Sequence, residues 1–137
     1  MDIAGGAEAV WDALVQALDE AGRSARARRL ADVLGCITRN RSGEPGSIGS
    51  TLPGFVVTRS IPPAVLALMG EHRFSRYALV FRVGETLAGP TRLSAETRAE
   101  FPGARGRAYR TLVIDTRFHV LATRSILRSV RRRAERG

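Results

Sequence analysis

The chain has 137 residues, 44% of them hydrophobic, with a single cysteine and a formal net charge of +9. That length suits one domain with its own core, and that apolar share excludes an intrinsically disordered chain. With Cys36 alone there can be no intrachain disulfide framework, which fits a reducing compartment.

The N-terminus is read first for targeting. Asp2, Glu8 and Asp12 stand where a signal peptide would be apolar. The longest uncharged apolar stretch, Ile61 to Gly70, is far shorter than a membrane span and holds Pro62 and Pro63. A cytoplasmic protein with no transmembrane segment is expected. Met1 to Ile3 leaves room for only the stub of a strand. Then Ala7, Val10, Trp11, Leu14 and Leu18 recur at helical spacing, preceded by Gly5 and Gly6 and followed by Gly22, which predicts an amphipathic helix over 7–21. Ser24 can cap a second helix that buries Ala27, Leu30, Ala31 and Leu34, with Gly35 suited to its C-terminal end. Cys36, at that end, reads as a small core filler and not as a nucleophile.

Residues 40–54, NRSGEPGSIGSTLPG, are rich in Gly and Pro and predict a loop, more a long connection than a flap over a pocket. They do not match a phosphate loop, which needs a preceding strand, a following helix and a lysine. The period then changes to two. Phe55 to Ser60 is one strand, broken by Ile61-Pro62-Pro63, and Val65 to Met69 is the next. Over Arg73 to Val83, Tyr77, Leu79, Phe81 and Val83 share one face while Arg76 and Arg82 take the other. Gly84 to Pro90 closes a hairpin, and over Thr91 to Glu100, Leu93, Ala95, Thr97 and Ala99 alternate with Arg92, Ser94, Glu96 and Arg98. These two strands read as an antiparallel pair with a polar exterior, where Arg82, Glu96 and Arg98 form cross-strand ion pairs.

Pro102 and Gly103 end the sheet. From Ala104 to Glu135 only Gly106 interrupts a pattern in which Tyr109, Leu112, Val113, Thr116, Val120, Thr123, Leu127 and Val130 step by three and four. One long helix over 104–135 is expected, with a kink allowed near Asp115-Thr116. Its basic last turns suit the negative end of the helix dipole.

Three segments carry a family resemblance. Residues 3–14, IAGGAEAVWDAL, look like a strand running into a helix. Residues 74–98, FSRYALVFRV through GPTRLSAETR, resemble a central hairpin, and 107–134, RAYRTLVIDTRFHVLATRSILRSVRRRA, a terminal helix. In this order they resemble the START-like, SRPBCC or polyketide cyclase/dehydrase-like superfamily, in the manner of its small actinobacterial members. The resemblance implies one α+β domain over 1–137 with a helix-grip fold: a curved antiparallel sheet wrapped around a long C-terminal helix, plus two short N-terminal helices. The family's first strand is longer than the three residues here, so an exposed sheet edge open to a homodimer partner is expected.

The resemblance, and not the periodicity, also implies a cavity between sheet and terminal helix for a lipid or polyketide-like molecule. Tyr77, Leu79, Phe81, Leu93, Ala95, Thr97, Tyr109, Leu112 and Val113 would line it, and His119 is better placed than His72 to face it. Neither histidine has a second ligand at metal spacing, so no metal site is expected, and no cofactor is called for. Binding of a hydrophobic small molecule is the leading function. A cyclase- or aromatase-like enzyme on the same fold is the first alternative. A basic nucleic-acid or anionic-membrane binder is the second. It ranks last because all 22 basic residues are arginine, a signature of GC-rich coding more than of a selected phosphate surface. The arginine groups at 26–29 and 131–136 read as solvated helix ends, without the aromatic interleaving of single-strand binders.

Overall fold

The computed structural model describes residues 1–38, 40–71, 76–87, 89–100 and 118–136, excepting the side chains of Leu34, 98–100 and 118–123. Among the described residues the order is β1 (Asp2–Ile3), α1 (Ala7–Gly22), α2 (Ala25–Leu34), β2 (Thr51–Leu52), β3 (Phe55–Ile61), β4 (Val65–Glu71), β5 (Arg76–Glu85), β6 (Thr91–Glu100) and α3 (Phe118–Arg136). The strands make one open antiparallel sheet in the order β1-β6-β5-β4-β3-β2. The protein is therefore α+β, with a six-stranded sheet and three helices among the described residues.

The helices form where the sequence supplies both spacing and ends. α1 buries Val10, Trp11, Ala13, Leu14, Ala17 and Leu18, a stripe wide enough to face a core. In α2 the Ser24 side chain accepts a hydrogen bond from the Ala27 amide at 3.0 Å. Gly35 takes the left-handed conformation at φ +68°, and the Cys36 amide then donates to the Ala31 carbonyl, a closing bond that a left-handed residue permits. α2 departs from expectation in what it buries. Ala31 is buried, but Leu30 is 46% exposed and Val33 and Ile37 are more exposed still. The helical period identifies residues that share a face, and here no described element covers that face fully.

The sheet follows its period-two pattern closely. β6 has the expected bounds, and β5 pairs with it without interruption from Arg76↔Glu100 to Glu85↔Thr91. Residues 73–75, the expected start of that strand, lie outside the described residues. On the outer face Arg82 donates to Glu96 at 3.1 Å, both side chains remaining about half exposed. The 40–54 segment is largely irregular, as expected, but it is stitched down. Ser42 bridges to Thr51, Gly49 donates to the Val57 carbonyl, and Val57 donates to that of Ser50. These bonds create β2, which no local pattern announced.

One core joins the layers. Phe81, Leu66, Leu68, Leu79, Val83, Leu93 and Val57 from the sheet meet Trp11, Leu14 and Leu18 of α1, Val130 and Ala134 of α3, and Ile3 of β1. α1 is the described helix that lies against β5 and β6. α3 packs mainly on α1 and also touches β1. The sequence put the terminal helix itself against the central strands. Over its described length it packs on α1 and the sheet edge and sends Val130 and Ala134 into the core shared with the strands, and residues 104–117 of the expected helix, with the kink at Asp115-Thr116, lie outside the described residues. Arg133 of α3 forms an ion pair with Glu20 of α1, and Glu135 accepts from the Ala4 amide at 3.4 Å. No described helix is long and apolar enough to cross a membrane.

Candidate functional site

The face of the sheet toward α1 is built in rows by the register. Val83 stands opposite Leu93, Phe81 opposite Ala95, Leu79 opposite Thr97, and Tyr77 opposite Ala99. On the other side of β5, Leu66 pairs with Phe81, Leu68 with Leu79, and Gly70 with Tyr77. Six of the expected lining residues, Tyr77, Leu79, Phe81, Leu93, Ala95 and Thr97, thus share one face. The outlying four, Tyr109, Leu112, Val113 and the His119 side chain, lie outside the described residues, as does His72.

Burial along this face is graded. Phe81 and Leu93 have no exposed surface, and Val83 and Leu79 are 7% exposed. Elsewhere on the face Ala95, opposite Phe81, and Tyr77 are half-buried, and Thr97, opposite Leu79, is exposed. Cover by the helices thus stops within the sheet, between Ala95 and Thr97. Among the described residues this leaves Thr97 as the exposed polar position at one corner of the face, with Leu79 opposite it and Tyr77 next along β5, a mix of apolar body and few polar groups of the kind that ligand sites use.

Tyr77 is held by its surroundings. Its hydroxyl donates to the Gly54 carbonyl at 2.6 Å, its ring meets Phe55 edge-to-face with centroids 5.1 Å apart, and Cys36 Sγ lies 3.7 Å from the hydroxyl. The arrangement requires Gly70. A Cβ there would overlap both the Gly54 carbonyl oxygen and the Tyr77 ring, so the bare backbone at 70 lets the ring lean across the sheet to reach the turn. Tyr77 is thus a fixed ring on this face, with its hydroxyl already committed. Cys36 is 4% exposed, in keeping with a packing role.

Two grooves and a niche that sequence patterns did not announce lie elsewhere among the described residues. A niche of about 20 Å³, room for about one water, sits between α1 and the stitched loop, lined by Val15, Leu18, Ser50 and Val57 among others. An open groove of about 540 Å³ runs between Trp11, Val15 and the Pro45–Ile48 turn. A second, of about 600 Å³, is lined by Arg23, Arg28, Arg29, Arg41 and Asp32. In that groove Arg23 and Arg41 share Asp19 at 3.0 and 2.8 Å, which spends part of its charge internally. Spacing could not have revealed it, because Asp19 and Arg41 come together only through the loop between α2 and β2.

No family model and no curated protein matches the chain. Among solved structures it is similar to the crystal structure of CalU16 from Micromonospora echinospora, at 15% identity and a TM-score of 0.47, over 98% of this chain and 80% of that one. That likeness transfers no residue role.

Proposed function

We propose that the protein binds an apolar or amphiphilic small molecule, lipid- or polyketide-like, at the open corner of its sheet, in a helix-grip arrangement. The observation that carries this reading is the graded burial of one sheet face: sealed at Phe81 and Leu93, exposed at Thr97, with Leu79 opposite Thr97 and the half-buried Tyr77 beyond. Tyr109, Leu112, Val113 and His119 are proposed to supply the facing wall, on the strength of the sequence resemblance. The energy is sufficient without a catalytic group. Covering about 200 Å² of apolar ligand surface at roughly 25 cal/mol per Å² offers about 5 kcal/mol before ordering costs, consistent with millimolar to micromolar affinity.

The test uses the full chain. Native mass spectrometry looks for a co-purified apolar molecule, and titration with anilinonaphthalene sulfonate reads the site by fluorescence. Thr97→Trp fills the corner from a position that is not part of the core. It is expected to weaken dye binding several-fold while leaving the Tm unchanged. Dye binding that is absent, or indifferent to this substitution, would overturn the reading.

A further inference from the structure

We propose that the chain forms a two-fold dimer by antiparallel pairing of β6 with β6 of a second copy, with the axis through Thr97. Among the described residues the sheet edge formed by β6 is only partly occupied. β1 covers Thr91 and Arg92, and Met1 exchanges two hydrogen bonds with Leu93, each 2.9 Å. Beyond that, among the described residues, nothing pairs with the outer side of Ser94 to Glu100. Because Leu93 directs its amide and carbonyl toward β1, strand alternation directs those of Ala95, Thr97 and Ala99 the same way. Among the described residues these three therefore have no strand partner for their outward backbone groups, which lie along one line, the arrangement that templates strand addition.

The register is set by the strand's own sequence. The part of β6 beyond Leu93, residues 94 to 100, has its midpoint at Thr97, so full overlap of two copies places the axis there. Ala95 then faces Ala99 of the second copy, Thr97 faces itself, and six backbone hydrogen bonds form. On the outer face Glu96 of each copy comes opposite position 98, an arginine, of the other, and Ser94 comes opposite position 100. Opposite charges directly across an antiparallel pair are favourable, and like charges are not. Moving the axis by one residue brings Glu96 against Glu96, or Arg98 against Arg98. Moving it two residues toward β1 brings Arg92 against Arg98 and drives the second strand into Met1. The opposite sheet edge is a poorer candidate. β2, together with Ser50, already covers β3 through Val57, and Pro62 follows its end.

Sedimentation velocity on the full chain, from low to high micromolar, is expected to show a concentration-dependent monomer–dimer equilibrium. Thr97→Pro removes an outward-facing amide without removing a bond to β5, so it should give a folded monomer. Glu96→Arg alone turns both cross-strand pairs repulsive and should weaken the dimer about tenfold. Adding Arg98→Glu should restore it, and that rescue would hold even if the proline variant failed to fold. A chain that stays monomeric throughout, or a dimer indifferent to both the proline and the charge exchange, would overturn the proposal.

Discussion

Phe81 has no exposed surface and Trp11 has 8%, yet they reach the same core from a strand and a helix separated by seventy residues of chain. Truncating either leaves a hole that its neighbours can fill only in part. Phe81→Ala and Trp11→Ala should each cost about 3–5 kcal/mol by chemical denaturation; a loss under about 1 kcal/mol would place that side chain outside the core. Both positions were legible in the sequence, because alternation around Phe81 and the three-four spacing around Trp11 each select one face. Tyr77 was legible only in part. Its face followed from the alternation, but its hydroxyl bond to Gly54 joins positions 23 apart and depends on Gly70 being bare, which no period encodes. Leu30 shows the reverse limit: its spacing matched a buried stripe, and burial also needs a partner that spacing does not supply.

At the scale of elements, β1 is with β2 one of the two shortest strands of the sheet, at two residues each, and it is heavily tied. Besides the Met1–Leu93 bonds, Thr91 Oγ1 donates to the Gly5 carbonyl at 2.6 Å, and Arg92 meets Asp2 at 2.9 Å. The hydrogen bond from Arg92, aided by its charge, holds the Asp2 carboxyl below its ordinary value of 3.8. A carboxyl lowered in the folded state contributes stability that is present above its unfolded pKa and is lost as pH falls through the folded one. Asp2→Asn should therefore be slightly less stable than the parent at neutral pH. The gap should close in acid, below about pH 4, in thermal melts taken across pH. A gap that persisted unchanged into acid would mean that the carboxylate is not its source. Elements of this size mark where sequence reading runs out. β6 and the β5–β6 hairpin were legible because ten residues of alternation leave one solution, whereas the two residues of β2 are a strand only because Ser42 and Val57 bond the segment around them.

For the whole molecule, charge is the property that composition states most plainly and that the fold does least to focus. Arg26, Arg28 and Arg29 are exposed on α2, and Arg124, Arg128, Arg131, Arg132 and Arg136 are exposed on α3. Arg131 is partly spent on Glu135 at 3.3 Å, and Arg133, less exposed, on Glu20. None of the described exposed positions on either helix is aromatic, so the arginines have no base-stacking partners there. Cations of this kind still release counterions when they meet phosphate, whether or not they were selected to do so. The full chain is expected to bind duplex DNA weakly and without sequence preference, its affinity falling steeply as salt rises, with a slope of about −0.9 in log K per phosphate contact. Fluorescence anisotropy with two unrelated duplexes across a salt series would measure this. Arginine-to-glutamine changes on α3 should lower the slope while leaving dye binding at the sheet corner untouched, because the two surfaces share no residue. Binding that survived physiological salt and distinguished the two duplexes would instead require base contacts, and would make nucleic acid, not an apolar ligand, the primary partner.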